Sequence, residues 1–495
     1  MTENKIMNVQ TKAVDNIFDT NGVITKAPFK MKMIIMPVVF AALLIIGNQL
    51  PLSQFGENTG LALGFFIGII ACFIVQPWDM VITAFMIPLG GYLLGFWNWN
   101  VFQEASGSST FVSMFALTLV AAGAETTPIG KRIALWFLKK FHDKPVKMVM
   151  IMGAATCVIT MFVSNAATLI LMSGIANSML VTMGEKPGHS RIGRVLMVVI
   201  PAASFFGGIG LISGAAAANL FGINMLEAAT EGAYTITYAQ WAAVGVPTVL
   251  LMAVPMCLIY AKGMKLSDSD INTMLPDEYF QNLISELGPI GGSEIRWIII
   301  TAVMIIAMMA GGHSVAIPLI AACATVMPLI GTVPAKDMFK HVPLKMLFMI
   351  FFITTLGKLF SLTGLGALLT TLLTPLFAGF SPYMFSVVTC LILIFLVNTC
   401  VSATAVFTLV LGITIPICIN AGFNPSVVLM PTMMSSSFFF VLRLNVSMLL
   451  NKDYGWWELK DGILPGTIVA VILAFLIPAL AMLICPMAGM PIYLP

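Results

Sequence analysis

The sequence predicts an all-α polytopic membrane protein with two inverted repeats and about 11 spanning segments, to which the family resemblance given below adds re-entrant helical hairpins. Three observations lead there. Of 495 residues, 59% are hydrophobic and 9% charged, whereas soluble proteins carry about 25% charge. Mean hydropathy is +0.99. Two short polar islands, Val163-Ser164-Asn165-Ala166-Ala167-Thr168 and Val397-Asn398-Thr399-Cys400-Val401-Ser402, interrupt strongly apolar runs, one in each half of the chain.

Residues 1–30 are polar, with Lys5, Lys12, Lys26 and Lys30 ahead of the first apolar run and no cleavage site, which predicts a cytoplasmic tail. The first repeat occupies 31–261. Its early spans are 31–50, 60–78 and 80–97, with Trp78, Trp97 and Trp99 suited to the interfacial belt. A short apolar run at 111–124 precedes Thr127 to Lys140. There, charges at 131, 132, 139 and 140 flank apolar residues. An amphipathic helix lying in the interface and a basic cap on a span both fit. Either way Lys131, Arg132, Lys139, Lys140, Lys144 and Lys147 mark the cytoplasmic side.

The run 148–163 leads into the first island and 169–183 leads out, followed by a basic loop at 184–194. Next, 195–206 enters a Gly/Ala-rich stretch from Gly207 to Asn219 whose small side chains permit close backbone approach or an unwound turn. A span follows at 241–260. Residues 262–295 form a polar linker holding Asp268, Asp270, Asp277, Glu278, Glu286 and Glu294, helical in part.

The second repeat and last span, 296–495, follow the same plan. Apolar runs at 297–310, 317–330, 344–356 and 367–380 precede 385–397, which enters the second island. Then come 406–419, 427–434, Ser435-Ser436-Ser437, a short run ending near Arg443 and Asn445, and a final span at 463–483. Thr127-x-x-Gly130 precedes Asn165 by 35 residues (165 − 130), and Thr363-x-x-Gly366 precedes Asn398 by 32 (398 − 366). A second Asn follows each island, Asn219 and Asn445. Weak symmetry in a fixed order is the mark of inverted-repeat transporters.

The eight cysteines mostly lie singly in apolar runs, and the four histidines, at 142, 189, 313 and 341, are far apart. The cysteines read as packing residues and a metal site is not expected. No Ser/His pair, paired Asp or metal cluster occurs within the spans, so an enzyme is not expected. An Asn at membrane depth needs partners, and small neighbours let a helix break and expose carbonyls and N–H groups that hold ions. Bonding between neighbouring helices is the plainer use of the same residues.

With these residues in hand, the chain resembles the divalent anion/sodium symporters of the ion-transporter superfamily, which carry dicarboxylates, citrate or sulfate. The likeness runs from about residue 57 to 485 and rests on several segments. These are Gln76-Pro77-Trp78-Asp79 with 83–89, the basic helix 128–140, Ser164-Asn165-Ala166, Val397-Asn398-Thr399, 207–219 and Lys460-Asp461-Gly462. The resemblance implies two motifs capping helical hairpins, substrate carboxylates at Ser164, Asn165, Ala166, Asn398 and Thr399, and sodium near Thr160, Ser164, Asn165 and Gly214. It also implies elevator movement against a dimeric scaffold, so a homodimer is expected.

Departures matter. Ala166 replaces a Thr, Val397 replaces a Ser, Leu393 stands where a hydroxyl is expected, and Gly214 is followed by four alanines. In the terms of that resemblance, one sodium site is expected near Thr160, Ser164 and Asn165, while the second lacks its hydroxyl side chains and has backbone carbonyls as its remaining candidate ligands. Arg443, a charge in an apolar run, either supplies the missing positive charge to the substrate or snorkels, or pairs with an acid such as Asp453. Lys358 reads as structural or interfacial. Glu125 reads as a helix end near water or the bearer of a coupling proton.

The expected activity is secondary active transport of di- or tricarboxylates, sodium-coupled, in the inner or plasma membrane, with Na+ as coupling ion, no cofactor and no nucleic-acid partner. A sodium-independent exchanger or proton-coupled carrier is the alternative. An anion channel is the reading from another class, though isolated islands argue against an open pore.

Overall fold

The structure, a computed structural model, describes residues 31–106, 109–140, 144–267, 270, 275–311, 315–342, 344–377, 379–399, 403–438 and 451–494. The expected tail 1–30, Arg443 and Asn445 lie outside the described residues.

Every long element is a helix. The first half runs α1 (Lys32–Gln49), α2 (Thr59–Val75), α3 (Met80–Leu93), α4 (Trp99–Ser106), α5 (Ser109–Glu125), α6 (Ile129–Lys140), α7 (Pro145–Thr160), α8 (Asn165–Thr182), α9 (Arg191–Gly207), α10 (Ala216–Ala229) and α11 (Tyr238–Gly263). The linker contributes α12 (Asp277–Glu286). The second half continues with α13 (Gly292–Gly311), α14 (Ala316–Val326), α15 (Leu344–Leu362), α16 (Leu365–Phe377), α17 (Pro382–Thr399), α18 (Ala403–Asn420), α19 (Met430–Ser435) and α20 (Leu459–Met487).

Among the described residues, six helices are long and apolar enough to cross a membrane (within α1, α8, α11, α13, α17 and α20), or eight if two bent pairs are each counted as one span. Several other apolar helices are shorter. The expected segments therefore divide into full spans, bent pairs and short helices. A 16-residue helix such as α7 reaches about 24 Å, less than a hydrocarbon core of about 30 Å. That length suits one arm of a re-entrant hairpin.

The bent pairs are α5–α6, at 60°, and α15–α16, at 76°. Pro128 forces the first bend, because a residue before proline avoids the helical region. At the second, Gly364 has φ +75° and packs against the Phe55 carbonyl, a conformation that favours glycine. Each bend is braced by a residue distant in the chain. Thr126 donates its hydroxyl to the Thr332 carbonyl at 3.2 Å, and Thr59 donates to the Thr363 carbonyl at 2.7 Å.

Helix α6 is amphipathic, as one of the two sequence readings has it. Ala134, Leu135 and Leu138 are buried while Trp136 is exposed. Arg132 on this helix grips the linker. It pairs with Glu294 at 2.9 Å and donates to the carbonyls of Gly288 at 2.8 Å, Leu287 at 3.2 Å and Pro289 at 3.3 Å. Glu294 also accepts from the Gly291 N–H at 2.7 Å. The linker touches α8 as well, where Ser178 and Tyr279 share a hydrogen bond of 3.1 Å.

Just before α20, a buried polar cluster joins the end of the chain to the first half. Asn451 donates to Ser173 at 2.6 Å and accepts from the Trp457 indole at 2.7 Å, while Trp456 donates to Asn177 at 2.8 Å. Cys72, Cys157, Cys257, Cys390, Cys418 and Cys485 are buried free thiols, consistent with packing residues, and Cys323 is exposed.

Candidate functional site at the two polar islands

The first island is a helix break. Helix α7 ends at Thr160, whose hydroxyl donates back to the Thr156 carbonyl at 2.6 Å. The chain turns through Met161 to Val163, and Ser164, in an extended conformation, caps α8. Its side-chain oxygen accepts from the Ala167 N–H at 3.4 Å, the usual work of a serine N-cap. Its hydroxyl donates to Glu125 Oε1 at 2.7 Å. Ala166 lies exposed at the tip, with Ser164 and Asn165 half-buried.

The Gly/Ala-rich stretch packs behind this tip. The residues between α9 and α10 are irregular, as the small side chains predict. A Cβ on Gly208 would overlap the Asn165 amide, and one on Gly214 would stand 2.6 Å from the Thr160 carbonyl oxygen and 2.9 Å from that of Gly208. Ser204 donates to the Asn165 carbonyl at 2.7 Å. The Asn219 Nδ2 donates to the carbonyls of Gly208 at 3.0 Å, Leu211 at 3.1 Å and Ile212 at 3.3 Å.

This leaves the side-chain oxygens of Asn165 and Asn219 buried without a hydrogen-bond partner among the described residues. Buried acceptors normally have one. Amide oxygens together with carbonyls of broken helices form the donor set of a sodium site in membrane transporters. The N-terminal end of α8, the positive pole of an 18-residue helix, suits an anion. The structure thus brings Thr160, Ser164, Asn165, Ala166 and Gly214 into one region, and adds Asn219, Gly208 and Glu125. Behind the loop, Trp241 donates to the Ile209 carbonyl at 2.8 Å, and Tyr238 bonds Ser213 at 2.8 Å.

The second island is built differently. Helix α17 continues through Asn398 and Thr399, whereas α7 stops five residues before Asn165. Buried Leu393 and Val397 stand where the first half has Thr160 and Ser164. A valine offers no capping oxygen, so the helix runs on. Asn398 donates to the carbonyls of Ile394 and Phe438, both at 2.8 Å. Thr399 is exposed and donates to the Phe395 carbonyl at 2.9 Å. Cys400 to Ser402 and Arg443 lie outside the described residues.

The segments packed behind the two islands meet. The Phe206 ring, one residue before the end of α9, lies 6.4 Å from the ring of Phe438, the residue that Asn398 holds. Phe221 of α10 packs on Phe407 of α18 at 5.4 Å. Lys358 is partly buried on α15, the first helix of the second bent pair.

The hydrogen bonding of the Asn219 amide to three carbonyls, the Glu125 contact and a hydroxyl cluster in the second half were not drawn from the sequence. In that cluster Thr389 and Thr432 share a hydrogen bond of 2.7 Å, with Cys390 at 3.8 Å from the Thr432 hydroxyl. A fixed register would have pointed to this cluster. Asn165 and Asn398 are 233 positions apart (398 − 165), and Thr156-Cys157 recurs at that offset as Thr389-Cys390. Ser204-Phe205-Phe206 recurs as Ser437-Phe438-Phe439.

A family model for citrate transporters matches residues 70–381. Among solved structures, a YdaH transporter from Alcanivorax borkumensis, whose topology is described as unusual, matches at 12% identity and a TM-score of 0.49. The match covers 93% of this chain and 98% of that one. No curated protein matches the chain.

Proposed function

Because the chain belongs to the citrate transporter family, we propose that it is a secondary active transporter of di- and tricarboxylates, coupled to sodium through the first helix break. The observation that carries this is the pair of buried, unpartnered amide oxygens of Asn165 and Asn219 beside the exposed N-terminus of α8. The oxygens suit a hard cation and the helix end suits a carboxylate, so one site holds both charges next to each other. Ser164, Asn165, Ala166, Asn398 and Thr399 would line the anion, with Arg443 as a fixed cation. Thr160, Ser164, Asn165 and Gly214 would line the sodium.

Alternating access in this proposal is elevator-like. The hairpin α7–α8 and the unwound stretch after α9 move together with α17–α19, and the bent pairs α5–α6 and α15–α16 act as the arms. The carrier works as a homodimer in the inner or plasma membrane, with its N-terminus cytoplasmic. The continuous helix through Asn398, with Leu393 and Val397 buried, favours a second reading in which only one cation, or none, travels with the anion. A sodium-independent exchanger is the limit of that reading.

Uptake of labelled succinate and citrate into proteoliposomes, with and without an inward sodium gradient and internal anion, decides between them. Sodium-driven uptake into empty vesicles supports the symporter. Uptake only into anion-loaded vesicles, indifferent to sodium, supports the exchanger. Absence of uptake of either carboxylate overturns the proposed substrate class.

A further inference from the structure

We propose that the Glu125 carboxylate is a built-in competitor for the substrate anion at the tip of the first hairpin, and so sets how tightly a carboxylate is held. The inference rests on the anion-carrier reading of that tip. Ser164 ends the break and begins the 18-residue helix α8. Its oxygen is fixed by the Ala167 N–H, so its one hydrogen points to a single acceptor. That acceptor is Glu125 Oε1, at 2.7 Å.

A carboxylate on a serine N-cap at the positive end of a long helix is the arrangement a bound substrate would adopt. Here the protein's own carboxylate has taken the position. Glu125 reaches it from the last residue of α5, on the far side of the 60° bend. Its neighbour Thr126 is tethered to the carbonyls of Gly123 at 3.0 Å and Thr332 at 3.2 Å. The competitor therefore belongs to the arm, and the Ser164 it engages belongs to the hairpin.

A substrate carboxylate accepting from Ser164 has to displace Glu125 or lie beside it. Two unit charges about 4 Å apart in a partly hydrated site repel by an amount worth roughly five- to a thousandfold in binding. Glu125 thus weakens anion binding and gives a bound anion a ready replacement, which speeds its release.

Glu125→Gln keeps an oxygen that accepts from Ser164 and removes the charge. The half-saturating concentration for labelled citrate uptake into proteoliposomes, at saturating sodium, is expected to fall at least about fivefold. Glu125→Asp, which withdraws the carboxylate by one methylene, is expected to shift it less in the same direction. A second readout needs no substrate. In a Ser164→Cys variant, the rates of modification by a sulfonate-bearing and a trimethylammonium-bearing thiosulfonate reagent are compared. The anionic-to-cationic rate ratio is expected to rise at least about fivefold when Glu125→Gln is added.

An unchanged half-saturation overturns the proposal, and so does an unchanged reagent ratio. If the parent protein takes up no carboxylate, the anion-carrier reading fails on its own. The reagent ratio then still decides whether Glu125 governs anion access to residue 164.

Discussion

The rings of Phe206 and Phe438 lie 6.4 Å apart and tilted by 47°, which joins the end of α9 in one half to the segment beyond α19 in the other. Both rings are fully buried. Asn398 holds Phe438 through its carbonyl, and Gly208, two residues after Phe206, lies against Asn165. The two island asparagines are therefore connected through this aromatic pair.

Replacing Phe206 by Ala is expected to cost about 3–5 kcal/mol, as for other fully buried aromatic truncations. The thermal midpoint in detergent should fall and citrate uptake with it, whereas Phe206→Leu should retain most of both. Thermal unfolding and uptake measured on the same preparations check this.

Asn219→Ala removes the amide whose two hydrogens are shared among the carbonyls of Gly208, Leu211 and Ile212. It also deletes one of the two orphan amide oxygens. Each bond contributes about 0.5–1.5 kcal/mol. The sodium concentration for half-maximal citrate uptake should rise about tenfold or more, roughly the loss of 1.4 kcal/mol. A sodium titration of uptake is the check.

The Arg132–Glu294 pair offers a stability test away from the helix breaks. Glu294 is 1% exposed, so Arg132→Met strands a buried carboxylate at a cost of about 3–5 kcal/mol. Adding Glu294→Met should recover much of the lost thermal midpoint, because a buried ion pair exchanged for apolar groups is often neutral. Equal midpoints for the single and double variants would contradict that account.

Asn451→Leu loses its bonds to Ser173 and Trp457 in a fully buried setting. The stranded indole N–H and serine hydroxyl should cost about 1–3 kcal/mol. Ser173→Ala in the same background should then cost little further, which a double-mutant cycle of thermal midpoints would reveal.

What the sequence made legible was what composition and local pattern encode. The polar islands at 163–168 and 397–402 stood out because an Asn in an apolar run is rare, and 207–219 because its side chains are too small to fill a helix face. The amphipathic 129–140 segment followed from its charge spacing. Contacts between distant residues were not legible. Glu125 and Arg132 look alike from sequence, as charges near helix ends, yet one meets Ser164 and the other Glu294. The different construction of the second island was half legible: Leu393 and Val397 announced missing hydroxyls, but not that α17 would run on through Thr399. Arg443 falls outside the described residues.

The reach of Arg132 also bears on how the chain is made. Its carboxylate partner follows 162 residues later, and the carbonyl that braces Thr126 follows 206 residues later. At synthesis rates of about 5–20 residues per second, the interval before Glu294 emerges is roughly 8–30 s. Through that interval the Arg132 guanidinium lacks both its carboxylate and the carbonyls of residues 287–289. The contacts that fasten α6 are thus complete only once the linker has been made.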